Sequence, residues 1–144
     1  MAGSFEPQLP PFLSGAIDTQ VHDTGGAPIN IVRLSDPWHV HIQWNVTGSI
    51  VPLINGTWHI KVYAESMGPG AEMEVGSLDV LVNAEALVGM TRSYNRLIVV
   101  PGNLAGLTDG VYRVTTVLTI ENGGSRGMIA AFDQGPLMQF FQFP

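Results

Sequence analysis

Between Trp38 and Thr47 the chain alternates without a break: Trp38, Val40, Ile42, Trp44 and Val46 take one phase, His39, His41, Gln43, Asn45 and Thr47 the other. Successive side chains of a β-strand point to opposite faces, whereas a helix repeats every 3.6 residues. Ten residues of strict alternation therefore require a strand with one face in a core and the other turned away from it. The pattern returns at residues 57–65, with Trp58, Ile60, Val62 and Ala64 apolar and Thr57, His59, Lys61, Tyr63 and Glu65 opposite. Loop residues 48–56, ending in Asn55-Gly56, separate the two runs, which are expected to pair antiparallel.

Weaker strand signals fill the rest of the chain. Residues 15–23 read as an edge strand closed by Asp23-Thr24-Gly25-Gly26, with a short run at 29–34 after it. Residues 73–82 read as a strand bulged or bent at Gly76, and residues 94–100 as another strand. A further run from Leu107 to Ile120 leads through Asn122-Gly123-Gly124 into a return strand at 128–132. After Gly135-Pro136, a final apolar segment covers 137–143. Only residues 83–90 could form a helical turn, and Gly89 argues against it. Pro7, Pro10 and Pro11 disfavour both helix and ladder pairing, so residues 1–14 are expected to be an extended arm and 15–144 a single β-sandwich domain. Seven or more antiparallel strands without long helices define an all-β sandwich.

One local motif points to a particular kind of sandwich. Leu107, Asp109, Gly110 and Tyr112 resemble the turn before the penultimate strand of immunoglobulin-like and fibronectin type III-like domains. In those domains a tyrosine hydroxyl ties back to upstream main chain. The resemblance implies that role for Tyr112, and Trp38 or Trp44 resembles the early tryptophan of the same families. It implies a fold and no activity.

Composition narrows the function. Charged residues make up 12% of 144 residues, against roughly a quarter in ordinary soluble chains. Lys61 is the only lysine and the net charge is -6, which repels phosphate backbones and excludes nucleic acid as an expected partner. The absence of cysteine removes disulfides and thiolate metal sites. No apolar run approaches the roughly 20 residues of a membrane span. Residues 1–15 lack the basic start of a secretory signal, so a soluble protein of undetermined compartment is expected.

Sites are sparse. His39 and His41 share a strand face, and in the expected pairing His59 lies on the same outer face of the next strand. Three imidazoles with an open position would suit zinc and, with it, a small hydrolytic enzyme. Solvated polar positions are the plainer reading, and register sets His41 and His59 diagonally, roughly 7–8 Å apart. Serine elbows and phosphate loops are missing, since Gly68-Pro69-Gly70 has no lysine after it. Glu72, Glu74 and Asp79 lack the spacing of a calcium loop. Asn45-Val46-Thr47 and Asn55-Gly56-Thr57 fit the glycosylation triplet. Trp38, Trp44 and Trp58 take the apolar phase and belong to the core, leaving Tyr63 and Tyr94 freer to stack on a sugar.

The leading expectation is a noncatalytic interaction or self-assembly module, a homo-oligomer or another protein's partner, with contacts through the terminal segments. Leu137, Phe140, Phe141 and Phe143 form an uncharged apolar tail, expected to be an unpaired edge strand that invites pairing with another copy's sheet or arm. A carbohydrate- or other ligand-binding sandwich and a histidine-liganded zinc enzyme are the alternatives.

Overall fold

The computed structural model describes residues 3–68, 70 and 72–142. Nine strands follow one another: β1 (Gly3–Glu6), β2 (Ser14–His22), β3 (Ile31–Arg33), β4 (Trp38–Thr47), β5 (Thr57–Ser66), β6 (Met73–Leu81), β7 (Thr91–Val100), β8 (Gly110–Asn122) and β9 (Ser125–Phe141). Hydrogen bonding runs in the order β6-β5-β8-β9-β1-β2-β4-β7, and β3 adds to β9 in parallel. The chain is all-β and sandwich-like, with β6-β5-β8-β9 in one layer and β2-β4-β7 in the other. β1 bridges them at one seam, and a hydroxyl bond of 2.8 Å between Thr19 of β2 and Thr116 of β8 crosses between the layers.

The core follows from the alternation. Trp38, Val40, Ile42, Trp44 and Val46 of β4 meet Trp58, Ile60, Val62 and Ala64 of β5 in one apolar cluster. Trp44 stacks on Tyr94 with centroids 4.8 Å apart, and Trp58 meets Phe5 and Tyr94 edge-on at 5.9 and 6.1 Å. Burial of this kind contributes about 1.5–3 kcal/mol per large side chain.

The pairing of β4 with β5 does not occur. β4 pairs with β2 and β7, and β5 with β6 and β8. Each strand has one strongly apolar face, and two such faces can cover one another only from opposite layers. The nine-residue connection, with a 3-10 turn at Val51–Leu53, makes that crossing. A hairpin would need only 2–5 residues.

The N-terminal segment also differs from an unpaired arm. β1 forms ladders with both β2 and β9, and Phe5 is wholly buried. The three prolines lie outside it, in residues 7–13. At the other end, β9 runs through Gly135-Pro136 instead of breaking there. A register shift against β8 absorbs the extra residue, and the proline lies between β9's pairings with β1 and with β3, where no ladder bond needs its missing N–H. Gly123 and Gly124, at φ 61 and 82, close the β8–β9 hairpin in the left-handed geometry that favours glycine. Residues 83–90 hold the end of a 3-10 turn at Val82–Ala84 and then a tight turn closed by a Val88–Thr91 bridge.

Candidate functional site

Outward-facing residues of β2, β4 and β7 form a mostly polar sheet surface. Register sets Asp18 beside Gln43 and Asn95, Gln20 beside His41 and Leu97, and His22 beside His39 and Val99. His41 hydrogen-bonds Asn95 Oδ1, His22 bonds Gln20 at 3.1 Å, and the His22 and His41 rings lie 5.3 Å apart. The third imidazole near His39 and His41 is therefore His22, which its distance in sequence hid. His59 belongs to the outer face of the opposite layer. As the side chains stand, no three His, Asp or Glu residues among those described converge on one metal position.

His59 has a different setting. Its Nδ1 lies 2.6 Å from Asp79 Oδ1 and its Nε2 3.0 Å from Glu121 Oε2, so one ring spans β6, β5 and β8. The two carboxylates bind opposite nitrogens, and a protonated ring can donate to both. The hydrogen bond to Asp79 is the main reason its pKa is raised above the ordinary 6.5, with partial burial opposing and Glu121 assisting. This arrangement ties strands together and presents no open position. Glu74 pairs loosely with Lys61 at 3.8 Å, and Glu72 acts on Glu65, whose carboxyl is raised first by burial and then by that neighbour. The three carboxylates weighed for calcium thus go to separate partners.

Two depressions border β2. A shallow one of about 390 Å³ on the polar sheet is bordered by Asp18, Gln43, Asn45, Ser93 and Asn95, over the backs of Trp44 and Tyr94. A cleft of about 450 Å³ lies between β2 and β9, lined by Thr19, Val21, Gln134, Gly135 and Pro136. Close by, Asp133 is 1% exposed, and one of its oxygens has no hydrogen-bond partner among the described residues. Burial pushes its carboxyl above the usual range, against the opposing hydrogen bond to Thr19.

The aromatic and tail residues sort by strand phase. Trp38, Trp44 and Trp58 are buried, as is Tyr94, whose hydroxyl donates to the Val82 carbonyl. Tyr94 is thus unavailable to a sugar. Tyr112 is buried too, but its hydroxyl meets the side chain of Thr108 at 3.2 Å instead of main chain. Leu137 and Phe141 face outward on β9, opposite Arg113 of β8 and Arg33 of β3, whereas Phe140 points inward against Trp38 and Tyr112. Phe143 lies outside the described residues. With β8 on one side and β3 on the other, this part of β9 is not an edge.

An exposed apolar cluster lies where β1 and β4 end and β2 and β7 begin. Residues 7–13, 48–54 and 86–90 meet there and contain no charged side chain. Main-chain bonds Ser49 N to Pro11 O and Ile50 N to Phe12 O, both 3.2 Å, and Gly48 N to Met90 O, 3.0 Å, join the three loops into one tip. Leu53 is 82% exposed and Val88 77%, with Leu9, Phe12, Ile50 and Met90 also exposed. Sequence reading missed this tip because its pieces lie some forty residues apart. Their shared lack of charge was the available signal.

Compared with protein-family models and with curated proteins, the sequence matches none.

Proposed function

We propose that this chain is a noncatalytic interaction module, an immunoglobulin-like or fibronectin type III-like sandwich that assembles with copies of itself through apolar surface to which its N-terminal segment contributes. Strand order supports the family-level reading. The long strands taken in sequence as A, B, C, C′, E, F and G are β2, β4, β5, β6, β7, β8 and β9, and the layers then read A-B-E and C′-C-F-G. Trp58 supplies the buried tryptophan of strand C in that scheme, in place of Trp38 or Trp44.

The charge-free tip carries the functional reading. Six exposed apolar side chains on three joined loops, with no charge among them, are what an interaction surface presents. The net charge of -6 makes copies repel one another elsewhere, and the tip is where two copies meet without opposing carboxylates. Light scattering over a concentration series tests this. The expected result is a mass that rises above 15.5 kDa with concentration, and a Leu53→Glu/Val88→Glu variant that stays monomeric with unchanged circular dichroism. A chain that remains monomeric throughout overturns the reading.

The polar depression bordered by Asp18, Gln43, Asn45 and Asn95 favours a second reading, a site for a neutral polyhydroxylated ligand such as an oligosaccharide. Titration with neutral oligosaccharides, read by chemical shifts of these amides and abolished in Asn95→Ala, would support it. Unmoved amide signals would remove it.

A further inference from the structure

We infer that two copies assemble by exchanging β1, each inserting its first strand between β2 and β9 of the other, with the two tips packed together. This inference rests on the self-assembly reading and states how the contact is made.

β1 is built like a removable part. It holds four residues, paired Gly3 to Ile17 and Ser4 to Ala16 on one side, and Ser4 to Phe132, Phe5 to Ala131 and Glu6 to Ala130 on the other. Its place is nonetheless shaped in detail. A Cβ on Gly3 would collide with the Phe132 carbonyl, and one on Gly15 would lie 2.8 Å from the Phe5 ring. Phe5 itself is wholly buried against Trp58. Withdrawing β1 would leave an aromatic-sized hole and two unpaired strand edges at the seam between layers, which only an identical segment refills residue for residue. The groove runs on past the positions β1 pairs with, as the cleft at Thr19, Val21, Gln134 and Gly135.

The connection to β2 has the form of a hinge. Residues 7–13 include three prolines, and Leu9 and Leu13 close the loop on itself through bonds of 2.7 and 2.9 Å. Opening that closure releases seven residues, which span roughly 23–25 Å when extended. Such a reach crosses from one tip to another in contact with it. Leu9 and Phe12, exposed in the closed form, would lie in the interface of the open one. A two-fold exchange reproduces the β1 ladders and adds the tip surface, so the swapped dimer gives up the Leu9–Leu13 bridge and gains burial.

A cysteine pair at partnered positions tests this directly, since the native chain has no cysteine. Glu6→Cys with Ala130→Cys puts the two thiols across one ladder rung, a separation compatible with a disulfide. Oxidation of the dimeric fraction is expected to join chains covalently, giving twice the chain mass on a denaturing, non-reducing gel. Oxidised dimers whose disulfides all lie within one chain would overturn exchange and leave tip association standing. A protein monomeric at every concentration would overturn both. A second variant, with Gln8 and Leu9 deleted, keeps the test open if the cysteine pair fails to fold. Its hinge, cut to five residues and without the Leu9–Leu13 closure, is strained when folded back, so the dimer fraction should rise severalfold, and an unchanged fraction would count against exchange.

Discussion

Single hydroxyls and rings at the residue scale take roles that composition does not assign. Tyr94 donates to the buried Val82 carbonyl, so Tyr94→Phe strands an acceptor away from water and should cost about 1–3 kcal/mol. Among the described residues the Tyr112 hydroxyl bonds only the exposed Thr108, for which water can substitute, and Tyr112→Phe should cost less than about 1 kcal/mol. Denaturant unfolding of the two variants checks the order, and a larger loss at Tyr112 would contradict it. His59 makes a pH-dependent contribution. Its folded pKa lies above 6.5, so its stabilisation is complete below 6.5 and is lost as pH rises through the folded value. The melting-temperature gap between the native chain and His59→Gln should therefore narrow as pH rises from below 6.5. Because Asp79 and Glu121 are 69% and 45% exposed, the effect should be modest. A gap independent of pH would show that the ring is not held protonated.

Among the elements, β6 and β7 are the ends of the hydrogen-bonded order, and they come together at Gly76. The register of β6 on β5 shifts between Val62 and Tyr63, which pair with Gly76 and Glu74 and leave Val75 as the extra residue of a bulge. A Cβ on Gly76 would lie 2.5 Å from Ile98 Cγ2 of β7. The glycine thus lets two strands from opposite layers approach on the sides where neither has a ladder partner among the described residues. Gly76→Val should push them apart and cost about 1–3 kcal/mol, read as a lower denaturant midpoint. Unchanged stability would mean that β7 moves aside freely.

For the whole molecule, charge and apolar surface act against each other. Copies carrying -6 repel at long range, while the tip attracts at contact and contains no charge to be screened. Added sodium chloride, from about 0.05 to 0.5 M, should therefore raise the dimer fraction measured by sedimentation, since it weakens only the repulsion. A fraction that falls with salt would indicate an ionic interface elsewhere.

Local alternation was enough to determine the β class, the strands β4 and β5, the inward side of Trp38, Trp44 and Trp58, and the Gly123-Gly124 hairpin, because side-chain phase and turn geometry are properties of neighbouring residues. The bulge at Gly76 was legible for the same reason. Tertiary structure alone decided which layer each strand joins, since two apolar faces can cover each other across a core as well as they can lie side by side in a sheet. That decision separated His59 from His39 and His41, brought in His22, sent Phe140 inward while Leu137 and Phe141 stayed out, and gave the main-chain-bonded hydroxyl to Tyr94. It also seated β1 between β2 and β9. Prolines describe the chain on which they lie, and one side of the place for β1 is formed by residues more than a hundred positions away.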